Sequence, residues 1–459
     1  MIEEKTALQS ILESGKCDKE PNHDPEGGVS FSPLIRPPLS ESYSLHEIIR
    51  IYTLLNEHNT FTFQPYSTGL FPAVGPGSVT EQTSGYRWTW VRDNVHIAYS
   101  HFVNGKLRVA IRNADALASF FLKYRHRFTD IIEGREDPED PMARPNIRFD
   151  GETLKEIDEK WPHAQNDALG YFLWFFCQLA IEGALIPTEE QRMLLADFVR
   201  YFKAIGYWRD EDSGHWEEQR KVSASSIGVV NAGLRAYRAL LDQFPHIATK
   251  LLTGEDIDEL LALGTKAMQT ILPAECIQTS SLKNRRYDSA LLFLVDPLGI
   301  VEPPMAEQII SDVTSTLQGE HGISRYRGDS YWGPDYRHKI PKGKWTADFS
   351  DNIEQRNSRA SVPGLEAQWC IFDPLISVIY GKKYLRSGDK RSRVLQTNYF
   401  NRSLSQIIEV SDGQKQLLCP EAYFLENGKY VPNDHVPFLW TQANLWRAFE
   451  GMFRSLSSA

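Results

Sequence analysis

The chain has 459 residues and a net charge of −10, with 41% hydrophobic and 24% charged residues, the proportions of a globular protein with a sizeable core. No Lys/Arg block balances the acidic excess, so charge gives no support to nucleic acid or an anionic membrane as partner. Five cysteines, Cys17, Cys177, Cys276, Cys370 and Cys419, are dispersed without a CxxC pair, which points to reduced thiols in a cytoplasm-like compartment.

Residues 1–43 open with an acidic stretch that lacks the apolar core of a signal peptide, then run through scattered Pro and Gly. They are expected to form an extended arm ahead of one domain over 44–459. Helical spacing starts after a Ser44 cap with Leu45, Ile48, Ile49, Tyr52 and Leu55. Residues 60–85 suit short strands or an irregular loop. Further amphipathic segments follow at roughly 91–103, 105–125, 165–185, 188–205, 225–243, 256–273, 287–295, 304–318, 363–381, 390–409 and 437–456. The longest apolar run, around Cys177, reaches about a dozen residues and is too short for a bilayer span. A dozen helices in one all-α domain fit six helical hairpins closed into an α/α toroid. Helical periodicity does not separate that toroid from an open solenoid.

The segments between helices are long and rich in aromatic and charged residues, where loops of that length are uncommon unless functional. Aromatics make up 12% of the chain, and aromatic faces suit the C–H faces of sugar rings. The first such loop is GYRWTWVRDN, with Arg92 and Asp93 at a helix start. A planar guanidinium and a carboxylate together can grip vicinal hydroxyls; a dipole-favoured Asp beside a structural Arg is the plain alternative. The second places Trp161, Gln165 and Asp167 in WPHAQND. His163 has no second histidine at helical spacing, so no metal site is expected. The third, HWEEQR, sets Glu217 and Glu218 behind Trp216. A carboxyl beside an indole is partly desolvated and tends to keep its proton, as a general acid requires. The fourth, RRYD, offers Arg286 and Asp288 either as a cleft-lining pair or as a helix cap. The fifth, GISRYRGDSYWG, contributes Arg325 and Tyr326. The sixth, CPEAYF followed by VPFLWTQANLW, holds Glu421.

RWTWVRDN, W-x-x-x-Q-x-D, HWEE, RYRGDSYW, CPEAYF and PFLWTQANL, in this order from about residue 45 onward, resemble glycoside hydrolase family 15, the glucoamylase-like enzymes. They also resemble the related domains of the phosphorylase kinase α and β regulatory subunits. The stretch IRFDGETLKEI with WPHAQNDALG is closer to the kinase subunits. The resemblance implies an (α/α)6 barrel with its site at one end. It implies Glu217 as general acid and Glu421 as general base, with Glu218, Arg92, Asp93, Trp161 and Trp216 lining a glucose subsite. In an inverting pair the two carboxyl groups stand about 6.5–9.5 Å apart, leaving room for water. The implied partner is an α-glucan or oligosaccharide, and no cofactor is required. The other implied class is a non-catalytic carbohydrate-binding or regulatory module with a protein partner.

Overall fold

The computed structural model describes residues 39–75, 85–280, 283–412 and 414–458. The expected arm lies outside the described residues except for its last five. Of these, Tyr43 is buried and donates through its hydroxyl to Asn401 Oδ1 at 2.6 Å.

Among the described residues, six helical hairpins follow one another along the chain. We label their helices α1 (Leu45–Glu57), α2 (Val91–Val103), α3 (Leu107–Lys123), α4 (Asn166–Ile181), α5 (Glu189–Ile205), α6 (Ala224–Gln243), α7 (Gly254–Ile271), α8 (Leu292–Val295, continuing a 3-10 turn over Ser289–Leu291), α9 (Pro303–Thr316), α10 (Phe372–Ser387), α11 (Lys390–Ser405) and α12 (Leu439–Ser457). The even-numbered helices form the inner ring. α2 packs on α4, α4 on α6, α6 on α8, α10 on α12, and α12 returns to α2. Phe293 of α8 meets Phe372 of α10, with ring centroids 6.0 Å apart, and closes the circle. The structure is therefore an (α/α)6 barrel.

Burial explains the two rings. α4 is buried almost from end to end, whereas α5 and α9 bury one face and expose the other, the pattern of an outer layer. α4 and α6 cross where Gly170 faces Gly233. A Cβ on Gly170 would lie 2.9 Å from the Val229 carbonyl carbon, so the close crossing requires glycine. Aromatic rings fill the axis: Trp440 stacks on His96 at 4.5 Å and on Phe293 at 5.4 Å.

The cap expected at Ser44 is present as a full capping box with Glu47, and Thr188 caps α5 in the same way with Gln191. The segment expected as helix over 363–381 is different. Pro363-Gly364 turns the chain, residues 368–369 form a strand, and the helix starts only at Phe372. Short helices at His126–Ile132, Tyr336–Lys339 and Ile353–Ala360 lie inside segments read as loop. Residues 60–75 are irregular.

Among the described residues, eight short strands edge the barrel. β1 (Thr89–Trp90), β2 (Arg148–Asp150) and β3 (Lys155–Glu156) form one antiparallel sheet in that order. β4 (Gln368–Trp369), β7 (Ala422–Glu426) and β8 (Lys429–Pro432) form a second, and β5 (Ile408–Asp412) pairs with β6 (Gln414–Leu418). The registers Trp90↔Arg148 and Trp369↔Ala422 carry indoles to the same barrel end as the inner-helix N-termini. Among the described residues, no helix is long and apolar enough to cross a membrane.

Candidate functional site

The pocket opens where the inner helices begin. Arg92 and Asp93 stand in the first turn of α2, and Trp440 stands in that of α12. Positive helix ends and unsatisfied N–H groups suit an end of the barrel that gathers carboxylates.

Glu217 and Glu218 are placed by a turn between α5 and α6. An antiparallel bridge pairs Asp212 with Lys221. Between them, Gly214 at φ +56° starts a 3-10 turn over Gly214–Trp216. Glu217 follows at φ 57°, a left-handed conformation for a residue with a Cβ, which costs on the order of 1–3 kcal/mol and is typical of functional sites. The turn sends the two neighbouring carboxylates in different directions.

Glu217 faces the pocket with 19% of its side chain exposed. Gln165 Nε2 donates to its Oε1 at 3.2 Å and Arg92 Nη2 does so at 3.4 Å. Burial raises its pKa above the ordinary value, and Arg92 and Arg148 oppose that rise only in part. Arg92 is itself anchored, donating through Nη1 to Asp167 Oδ2 at 2.6 Å and to Gln165 Oε1 at 3.1 Å. Asp167 is fully buried, which by itself raises its pKa, but Arg92, His215 and its hydrogen bonds together bring it below the ordinary value.

Glu218 lies in a buried arginine cluster. Its Oε1 accepts from Arg356 Nη2 at 2.7 Å and Arg325 Nη2 at 3.0 Å, and its Oε2 from Tyr326 at 2.6 Å and Arg285 Nη2 at 3.4 Å. Burial alone would raise its pKa, but the three guanidinium groups bring it down to about 2. Arg325 is clamped from behind by Asp329, at 2.6 and 2.7 Å.

Glu421 ends the turn that leads into β7 and is 1% exposed. Its Oε1 accepts from Tyr86 at 2.7 Å. Its Oε2 lies 2.6 Å from Asn433 Nδ2 and 2.7 Å from His435 Nδ1. Tyr86 also shares a 2.6 Å hydroxyl contact with Tyr331.

Glu217 and Glu421 line one pocket together with Arg92, Asp93, Trp161, Trp216, Arg325, Tyr86, Tyr331, Arg356, Trp369 and Trp440, closed on one side by Thr346–Phe349. The indole N–H groups of Trp161, Trp369 and Trp440 are buried without a hydrogen-bond partner. Trp332 and Trp446, away from the pocket, carry unpartnered indole N–H groups as well, so these three mark the pocket as donor-rich without naming its ligand. Asp93 lies near both acids. Burial, countered by Arg92 and reinforced by the charges of Glu217 and Glu421, brings its pKa up to about 7.

Several residues expected at the site stand behind its wall. Gln165 and Asp167 are spent on Arg92 and Glu217. Glu218 and Tyr326 are spent on the arginine cluster, so Glu218 does not line the pocket. Asp288 accepts from Trp216 Nε1 at 2.9 Å, caps Ala290 N at 2.9 Å and pairs with Arg285 at 3.0 Å. It is therefore both a helix cap and a brace for the pocket's indole. Arg286 is a correction: it points outward, pairing with Asp312 at 2.7 Å and the Pro273 carbonyl at 2.7 Å. Arg285 and Cys276 are bridged antiparallel, and successive side chains on extended backbone face opposite ways. The inward arginine is thus Arg285.

Arg356, Asn433 and His435 were not singled out from sequence. Arg356 comes from the short helix inside the loop after Tyr336. Asn433 and His435 sit in the polar PNDH between apolar residues, which was their available signal. His163 is buried, which brings its pKa down to about 3, and its Nδ1 accepts from Ile147 N at 3.3 Å. Among the described residues, no cluster of three His, Cys, Asp or Glu is placed to hold a metal.

The fold and this pocket define a helical-barrel protein with two carboxylates lining an aromatic, donor-rich cleft. The chain belongs to glycosyl hydrolases family 15, whose model matches residues 51–443. It is 23% identical over 391 residues to a probable phosphorylase b kinase regulatory subunit alpha of Caenorhabditis elegans, covering 77% of this chain and 30% of that protein. It is 25% identical over 397 residues to the liver isoform of that subunit from Oryctolagus cuniculus, covering 77% and 29%. The chain thus spans under a third of the length of these curated relatives. Among solved structures it resembles a wild-type glycosidase (TM-score 0.57, 18% identity, 90% of this chain and 97% of that one). It also resembles the glucoamylase of Saccharomycopsis fibuligera (TM-score 0.53, 15% identity, 94% and 99%). These structural likenesses concern the fold.

Proposed function

We propose that the chain is an inverting, exo-acting α-glucosidase of the glucoamylase type, releasing glucose from the non-reducing ends of α-glucans or maltooligosaccharides in the cytoplasm. The observation that carries this reading is the pairing of Glu217 and Glu421 in one pocket with different surroundings. Burial raises the pKa of Glu217 above the ordinary value, and Glu421 accepts hydrogen bonds on both oxygens.

Glu217 gives its proton to the glycosidic oxygen as the bond to the anomeric carbon breaks. Glu421 takes a proton from water attacking the opposite face, and the product is β-glucose. Arg92 and Asp93 grip the terminal sugar, and the Trp161 and Trp216 rings bound it. Arg325 lines the pocket and is held in place by Glu218 and Asp329. No cofactor enters these steps.

A second reading is a regulatory module that binds a saccharide or a protein partner without cutting it. The regulatory-subunit names of the sequence relatives favour it. Glu217→Gln and Glu421→Gln separate the two. Under the hydrolase reading each loses at least about 10²–10⁴-fold in turnover, the range of general acid–base catalysis, with sugar affinity by tryptophan fluorescence held within a few-fold. Unchanged turnover in both variants contradicts the assignment.

A further inference from the structure

The two oxygens of Glu421 are treated unequally. Oε2 is approached by Asn433 Nδ2 at 2.6 Å, His435 Nδ1 at 2.7 Å and the Tyr331 hydroxyl at 3.4 Å, whereas Oε1 meets the Tyr86 hydroxyl at 2.7 Å. The backbone makes this arrangement stiff. Asn433 N donates to Ala422 O at 2.9 Å and Glu421 N donates to His435 O at 3.1 Å, so residues 433–435 run paired against the base's own segment. Asn433 and His435 both turn to Glu421, while Asp434, at the bend between them, turns to Arg337 at 2.5 Å. The His435 ring is fixed on both sides: it stacks on Tyr86 at 3.7 Å and 17°, and Trp332 meets it edge-on at 5.6 Å. It is 1% exposed, so water does not replace its hydrogen bond.

We propose that Asn433 and His435 are positioning residues that occupy Glu421 Oε2 and reserve Oε1 as the oxygen that takes the proton from the attacking water. The inference rests on the reading of Glu421 as the base. The water's O–H proton goes to Oε1, its oxygen bonds to the anomeric carbon, and the leaving oxygen departs with the Glu217 proton. His435 must then carry its hydrogen on Nδ1, because a bare Nδ1 would turn a lone pair toward the carboxylate. Asn433 is oriented with its amide nitrogen toward Glu421 for the same reason. Two strong donors on one oxygen fix the rotation of the carboxylate, so the proton-accepting lone pair is held in place before substrate arrives.

The test combines variants at position 435 with ¹⁵N NMR of the imidazoles in the full chain. His435→Phe keeps a ring to stack on Tyr86 and removes the donor. It is expected to lower kcat roughly 10- to 100-fold, the range for a hydrogen bond to a charged group, with KM within about threefold. His435→Gln, which restores an N–H, is expected to recover most of the loss. The wild-type spectrum is expected to show His435 protonated on Nδ1. A Phe variant with unchanged kcat, or a Gln variant as impaired as Phe, overturns the inference while leaving the hydrolase reading intact. Should the wild-type protein cleave no glycoside, the hydrolase reading fails and the spectrum alone decides: Nδ1 protonated upholds the donor assignment, and Nδ1 bare overturns it.

Discussion

Glu217 and Glu218 share a peptide bond, yet one carboxylate faces the pocket and the other is held by three arginines behind its wall. The left-handed φ of 57° at Glu217 makes this divergence. It gives two adjacent acids opposite electrostatic fates, with the Glu217 pKa raised by burial and that of Glu218 brought down to about 2.

The first prediction concerns stability. A carboxyl whose folded pKa lies below its ordinary value of 4.5 adds stability above that value and loses it as pH falls toward about 2. Glu218→Gln is expected to cost about 3–5 kcal/mol at neutral pH, because the buried arginines lose their counter-charge. The gap between wild type and variant, read by urea unfolding, should narrow as pH drops from about 4.5 to about 2. Equal stability at neutral pH contradicts the cluster's role.

The second concerns the acid. Gln165 donates to Glu217 Oε1 and favours its charged form. Gln165→Leu removes that donor, so Glu217 should keep its proton to higher pH. The basic limb of the kcat/KM profile is expected to move up by about 0.5–1 pH unit, equivalent to a hydrogen bond of ~1 kcal/mol. A limb that moves down contradicts Glu217 as the proton donor.

Arg285 and Arg286 provide the third. Arg285 stacks 3.3 Å over the Tyr326 ring and pairs with Asp288 and Glu218. Arg285→Ala is expected to destabilise by about 3–5 kcal/mol, as when one partner of a buried ion pair is removed, and to impair turnover. Arg286→Ala should fall within ±0.5 kcal/mol, roughly the range for exposed positions, with kinetics unchanged. Comparing thermal unfolding and activity of the two alanine variants checks the assignment.

The unpartnered indole of Trp161 provides the fourth. Trp161→Phe keeps an aromatic face and removes the N–H. It is expected to weaken saccharide binding about 5- to 10-fold, a loss of about 1–1.4 kcal/mol, with a small change in unfolding midpoint. Isothermal titration with a maltooligosaccharide on a Glu217→Gln background measures this without turnover.

The existence of most helices is legible in the chain, because apolar residues at helical spacing between polar loops mark each element. Val91–Val103 matches the expected segment to the residue. The helix at Phe372 was displaced because apolar and aromatic residues continue through the strand at Gln368–Trp369, and periodicity does not show where strand ends and helix begins. At the site, Glu217 and Glu421 were legible as acids in aromatic loops. The direction of a side chain was not. Arg285 and Arg286 are not separable in the sequence because one residue of extended backbone reverses the face, and the direction of Glu218 depends on the left-handed residue before it, which the letters do not mark. Arg356, Asn433 and His435 join the site through tertiary contacts between segments that carry no periodic signal.

The central claim is that Glu217 and Glu421 act as an inverting pair. Proton NMR of the purified protein with a maltooligosaccharide, isomaltose and trehalose in parallel, following the anomeric signals from the first minutes, tests it most directly. The account predicts β-glucose appearing first, with the α form growing only by mutarotation, and the responding substrate identifies the linkage. Early α-glucose would mean retention and contradict the roles given to both residues. No glucose from any substrate, with saturable line broadening of one sugar, would contradict hydrolysis and leave the regulatory reading.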